Sequence, residues 1–257
     1  MNDFKNQENM HGRCASHILL QVKDLLETMP SLVDINIPNG KQFTVCDDTH
    51  GQYYDLFNIF EVSRLPSENN PYLFNDDFVD RGLFSVEVLL VPFVFKYMCP
   101  RGNHGSRSKN QIYSFEGEVK SKTSGSMVEL FAETFCCLLL AHVLNDKSFV
   151  VLDSRFSVDS IKQDDIEDIV QFREPPEEGL MCEILCSDPQ LHKGCGPSKR
   201  EVGLSFEEDV TKRFFQENNL MQAIRSHEVK EEDYEIEHDG KPITVFSTPT
   251  IVTREGR

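Results

Sequence analysis

An α/β fold is predicted by two features of this chain. Short β-branched and aromatic runs alternate with segments of helical period. The strand-like runs Phe43-Thr44-Val45-Cys46 and Tyr72-Leu73-Phe74 also each lead into a polar loop rich in aspartate. The elements follow in order. Cys14 to Met29 places Ile18, Leu19, Val22, Leu25, Leu26 and Met29 on one helical stripe, and Pro30 ends it. Strand Phe43–Cys46 comes next, then a helix over Tyr54–Phe60, then strand Tyr72–Phe74. The apolar stretch Met127–Leu144 reads as one long helix, and Phe149-Val150-Val151-Leu152 as a buried strand. Phe206–Ile224 reads as a helix, with Ser205 and Glu208 spaced as a capping box and Glu207, Glu208 and Asp209 suiting its dipole. Ile243-Thr244-Val245-Phe246 is a last strand, and the acidic Glu231-Glu232-Asp233 is a solvated loop. No internal repeat or long low-complexity segment is present.

Bulk properties exclude several function classes. The 257 residues suffice for one large domain or two small ones, and 39% are hydrophobic. Lys and Arg number 26 against 43 Asp and Glu, a formal charge of −17. That argues against nucleic acid or an anionic membrane as partner, since both need a basic face. No apolar run approaches the roughly 18 residues of a bilayer span, and 1–13 has no apolar signal core. The eight cysteines form neither a disulfide framework nor a paired zinc pattern. Reduced thiols in the cytoplasm or nucleus are the expectation.

Four polar clusters stand at loops or strand ends: Asp48-Thr49-His50-Gly51, Asp77-Phe78-Val79-Asp80-Arg81-Gly82, Gly102-Asn103-His104 and Arg225-Ser226-His227-Glu228. In extended chain residues i and i+2 share a side, so Asp48 and His50 can grip one ion. A carboxylate such as Asp77 can bridge two ions, Asn103 can ligate, and His227 adds an imidazole nitrogen. Such mixed donors suit two divalent ions of manganese, iron or zinc better than calcium. Two ions roughly 3.5–4 Å apart can activate a water and clamp phosphate oxygens. Asn103 and His104 are adjacent, so one can ligate while the other serves as general acid, oriented by Asp80. Arg81 and Arg200 offer forked donors to phosphate oxygens. Each cluster alone is an ordinary loop; the ordered conjunction carries the reading.

That conjunction resembles the phosphoprotein phosphatase family of serine/threonine phosphatases. The resemblance extends through Leu65-Pro66-Ser67-Glu68, Asn110-Gln111-Ile112-Tyr113, Phe115-Glu116-Gly117-Glu118-Val119-Lys120, Ser187-Asp188-Pro189-Gln190 and Glu217-Asn218-Asn219-Leu220. It implies a calcineurin-like metallophosphatase fold, a central β-sandwich flanked by helices. It makes 1–257 a single catalytic domain with a family-like core at about 12–246, and phosphoserine and phosphothreonine proteins the substrates. By position, Asp48, His50 and Asp77 would bind one metal, and Asp77, Asn103 and His227 the other. His104 with Asp80 would form the general acid pair, and Arg81 and Arg200 would hold the phosphate. The resemblance also implies that the last sandwich strand, the regulatory tail and any tetratricopeptide docking repeats lie outside this chain.

The sequence departs from the family at points that bear on activity. Asp47 and Asp76 stand where the family has glycine, and Gly105 where it has glutamate. Asp153-Ser154-Arg155 replaces a His-Gly-Gly whose histidine ligates the second metal, which makes Asp153 a substitute ligand and predicts weakened catalysis. The alternative is an inactive relative that acts at most as a protein-binding module. The family also has a strand just before Gly-Asn-His. To fit one, Phe93–Met98 is expected to be at least partly extended, with the break at Pro92.

Overall fold

The computed structural model describes residues 12–75, 77–95, 100–151, 161–189, 195–197, 204–206, 208–226, 234–236 and 242–245. Helix α1 (Gly12–Leu26) buries Ala15, Leu19, Val22 and Leu26, a single stripe at helical spacing. Leu25, expected on that stripe, is exposed. Strands β1 (Leu32–Ile35) and β2 (Thr44–Asp47), helix α2 (Tyr53–Ser63) and strand β3 (Tyr72–Asn75) follow. Then come α3 (Ser85–Phe95), α4 (Arg107–Ile112), α5 (Phe115–Lys122) and α6 (Gly125–Cys137). Strands β4 (Ala141–Leu144) and β5 (Ser148–Val151) precede α7 (Gln163–Glu167) and α8 (Leu180–Cys186). The described chain continues through β6 (Asp188–Pro189), β7 (Cys195–Pro197), β8 (Leu204–Phe206), α9 (Glu208–Glu217), β9 (Gln222–Arg225), β10 (Tyr234–Ile236) and β11 (Pro242–Val245). Among the described residues no helix is long and apolar enough to cross a membrane.

A mixed six-stranded sheet runs β1-β4-β5-β9-β11-β10, a parallel pair joins β2 to β3, and a small three-stranded sheet runs β6-β8-β7. Leu73 of β3 packs with Leu144 and Val150 of the large sheet, so the two sheets share an apolar interior. Helices α1, α2, α3, α5 and α6 pack with β2 and β3 through residues such as Leu19, Phe60, Phe74, Leu89 and Phe131. Helices α7, α8 and α9 cover the other side through Ile166, Ile184, Phe214 and Phe215 against Ala141, Phe149 and Val151. Strand ends are tied together by one side chain. Asn75 Nδ2 donates to Val151 O and to Ser226 Oγ, each at 2.8 Å, and Asn75 lies in register with Asp47. The ends of β2, β3, β5 and β9 therefore converge, and each precedes one of the expected ligands.

Three sequence expectations are corrected. The helix expected over Met127–Leu144 stops at Cys137, where Leu138 turns extended (φ −62, ψ 145), and Ala141–Leu144 is a strand. All four residues of β4 are buried, and a strand covered on both faces carries the same unbroken apolar run as a buried helix. The helix expected over Phe206–Ile224 spans only Glu208–Glu217, and Ser205, expected as its cap, lies in β8. Asn219 takes φ 54 just past the helix, a left-handed stop, and Gln222–Arg225 is β9. Finally, Phe93, Val94 and Phe95 are helical and Pro92 sits inside α3. Residues Ser85 to Phe93 of that helix are all buried, and packing on α1, α2 and α5 outweighs the one hydrogen bond that proline forfeits. Among the described residues, the return to the sheet is marked by a parallel bridge from Pro100 to Leu139. Residues 96–99 of the expected extended segment, and the loop expected at 231–233, lie outside the described residues.

Candidate metal centre

The loop after β2 and the loop after β3 are laced together by backbone bonds. His50 N donates to Asp77 O and Gly51 N to Phe78 O, both at 2.8 Å, and Gly82 N donates to His50 O at 2.8 Å. The approach is so close that a Cβ on Gly82 would lie 2.3 Å from Gly51 O and 2.5 Å from His50 O. His50, Asp80 and Arg81 take positive φ of 39, 70 and 61, and Gly51 takes 65. Non-glycine residues in that region are strained, and here they mark the turns that aim the candidate ligands.

Within this frame Asp48, His50, Asp77, Asp80, Asn103 and His104 are all buried. Asp77 N donates to Asp48 Oδ1 at 3.2 Å, and His104 N donates to Asp77 Oδ1 at 2.8 Å. His50 Nδ1 lies 2.8 Å from Val79 O. As the donor of that bond Nδ1 carries the proton, which leaves Nε2 as a free lone pair, 3.9 Å from Asp48 Oδ2. Burial, with Arg81 and His104 nearby, pushes the His50 pKa down to about 3 against the pull of Asp77. A neutral imidazole is the form that binds metal. One donor atom each from His50, Asp77 and His104 lies within 4.8 Å of the others, a spacing that can hold an ion.

His104 is fixed from every side. Its Nδ1 is 2.6 Å from Asp80 Oδ2, and its carbonyl accepts from Asn110 Nδ2 at 2.7 Å. Its ring stands 5.0 Å from that of His50 and 5.1 Å from that of Tyr113. Asp80 is itself held: Oδ1 accepts from Phe115 N at 3.0 Å, and its own N–H donates to Ser85 Oγ at 3.2 Å. Arg81 is exposed at the lip. Asp47 is buried at the end of β2, next to Asp48.

The structure thus brings together Asp48, His50, Asp77, Asp80, Asn103 and His104. Asp76, Asp153, Arg200 and His227 lie outside the described residues. Sequence reasoning assigned no role to Asn75, Ser85, Asn110 or Tyr113. Asn75 and Ser85 flank the second motif and could have been suspected as its supports. Asn110 and Tyr113 lie in a stretch that carries the family resemblance, but their contacts with His104 come only through the fold around α4.

The pattern of the calcineurin-like phosphoesterase family matches residues 41–231, which includes all of these loops. The chain belongs to that family. It is 64% identical over 262 residues to serine/threonine-protein phosphatase 5 of Solanum lycopersicum, covering 100% of this chain and 47% of that protein. It is 50% identical over 259 residues to serine/threonine-protein phosphatase 5 of Homo sapiens, covering 98% of this chain and 52% of that protein. The chain therefore spans about half the length of the curated relatives it matches. A solved serine/threonine phosphatase from Saccharomyces cerevisiae, described as similar to human phosphatase PP5, aligns at a TM-score of 0.92 and 35% identity, over 96% of this chain and 80% of that one. The fold is the expected calcineurin-like metallophosphatase α/β fold, and divalent metals go with that family.

Proposed function

We propose that this chain hydrolyses phosphoserine and phosphothreonine esters of proteins, with water as nucleophile and two divalent ions, manganese first, as cofactors. The observation that carries the reading is the buried 2.6 Å contact of His104 Nδ1 with Asp80 Oδ2, beside His50 and Asp77. The donor set fits the ions. His50 offers Nε2, Asp48 and Asp77 offer carboxylates, and by resemblance Asn103, His227 and Asp153 complete the set. Bound there, the ions would activate water and neutralise phosphate charge.

The side chains supply the rest. Asp80 accepts the Nδ1 proton of His104, so Nε2 is the nitrogen left to face the reacting space. From there His104 delivers a proton to the departing serine or threonine oxygen. Arg81, with Arg200, holds phosphate oxygens in its forked donors. A slowed rate is expected, because Asp47 and, by resemblance, Asp153 add negative charge around the centre and lower the field it presents to water and phosphate. The same burial of Asp47, together with Gly105 in place of glutamate, favours the second reading, an inactive relative that only binds proteins. Metal analysis and manganese-supplemented hydrolysis of a phosphoserine peptide separate the two. Slow turnover that disappears in Asp77→Asn supports the phosphatase. Bound metal with no turnover above Asp77→Asn supports the inactive relative.

A further inference from the structure

Arg101 has no part in the chemistry above, yet it is among the largest fully buried side chains, at 0% exposure. A guanidinium leaves water only where acceptors await it. Its Nε and Nη2 donate to Gly105 O at 3.2 and 2.7 Å, and Nη1 donates to Arg173 O at 2.6 Å. Nη2 also lies 3.7 Å from Cys136 Sγ and 3.9 Å from Glu174 Oε2. Its backbone N–H donates to Leu139 O at 2.6 Å, and Gly105 N closes the turn onto Gly102 O at 3.0 Å. The turn is therefore wrapped around this side chain, and the two residues inside it are Asn103 and His104. Glycine at 105 belongs to the arrangement. A Cβ there would lie 3.0 Å from Gly102 O and 3.3 Å from Arg101 Cγ. Arg101 thus crowds the place where a longer side chain would leave the backbone.

We infer that Arg101 is a positioning residue for Asn103 and His104, and that Glu174 serves as its counter-charge in place of a carboxylate at position 105. Glu174 links three elements. Its Oε2 also accepts from Arg107 N at 3.1 Å, at the start of α4, and its Oε1 accepts from Cys136 Sγ at 3.5 Å. Ser106, the residue that precedes α4, makes no side-chain cap, so Glu174 supplies the acceptor at that helix end. One carboxylate holds the buried guanidinium, the helix after the His104 turn, and α6 in a single relation.

The inference rests on the phosphatase reading for the role of His104, but the shape of the turn is measurable without catalysis. Arg101→Met, Arg101→Lys and Glu174→Gln are compared with the parent by amide hydrogen exchange in metal-free protein. Manganese titration and hydrolysis of a phosphoserine peptide follow. In Arg101→Met the His104 and Gly105 amides are expected to exchange about tenfold faster, while those of β4 and β5 stay unchanged. Manganese affinity and kcat should each fall about 10–100-fold with KM unchanged. Arg101→Lys should not rescue, since one ammonium cannot span both Gly105 O and Arg173 O in a fixed fork. Glu174→Gln, at a position 40% exposed, keeps the fold and shows the same pattern more weakly. Unchanged local exchange and manganese affinity in a folded Arg101→Met overturn the inference, as they do in Glu174→Gln should Arg101→Met fail to fold. A parent that neither binds manganese nor turns over sinks the phosphatase reading, and the exchange comparison then decides the role of Arg101.

Discussion

His142 in β4 is fully buried, and among the described residues neither ring nitrogen has a hydrogen-bond partner. It stands in register with Val33 and Val150, on the face that Leu144 and Val150 turn toward Leu73. Burial alone pushes its pKa from the ordinary 6.5 down to about 3. The unfolded chain binds a proton below about pH 6.5 that the folded chain refuses until about pH 3, so stability falls as pH drops through that window. His142→Leu removes both the unsatisfied nitrogens and this proton uptake. It should stabilise the protein by about 1–3 kcal/mol at neutral pH, and by more at pH 5. Denaturant unfolding of both proteins at the two pH values checks this; a loss of stability would mean that the imidazole is satisfied in solution.

At the scale of elements, Lys122 at the end of α5 joins four partners. Its Nζ lies 2.6 Å from Glu87 Oε2, 2.9 Å from Glu118 Oε1 and 3.0 Å from Leu83 O, and 5.1 Å from the centre of the Phe84 ring. It therefore fastens α5 to the start of α3, just past Arg81 and Gly82. Lys122→Met would leave Glu87 and Glu118 facing each other in a half-dry site and should cost about 1–3 kcal/mol, discounted for partial exposure. Urea melts of the variant, with Glu87→Gln added to relieve the repulsion, test it: the second change should recover part of the loss. The same scale shows what sequence could and could not reveal. The strands β2, β3 and β5 were legible because each is short, carries β-branched or aromatic residues and leads into polar residues. Strand β4 was not, since a run apolar on every side fits either element. Pro92 was misjudged because a helix buried along nearly its whole length tolerates a missing N–H that an exposed one would not. The candidate ligands Asp48, His50, Asp77 and Asn103 could be named from type and order, and the fold buries them near one another, whereas the Arg101 and Asn75 contacts exist only once distant strands meet.

The whole molecule bears on the metals through its unfolded state. The described candidate ligands come from three separate loops, at 48–50, at 77 and at 103, which only the folded chain brings together. Ions that bind there and not to the unfolded chain must raise stability, by about 2.7 kcal/mol at a hundredfold excess over Kd. For a domain of this size that corresponds to a Tm shift of roughly 5–10 °C. The formal charge of −17 complicates the reading, because any divalent cation relieves self-repulsion of so acidic a chain. Calcium separates the effects: it screens charge as well as manganese does, but imidazole donors suit it poorly. Manganese should therefore raise Tm by several degrees more than calcium at equal concentration, and Asp77→Asn should remove that difference while keeping the shared part. Equal shifts from the two ions in the parent would mean that the gain is screening, and that the buried centre of Asp48, His50 and Asp77 holds no ion.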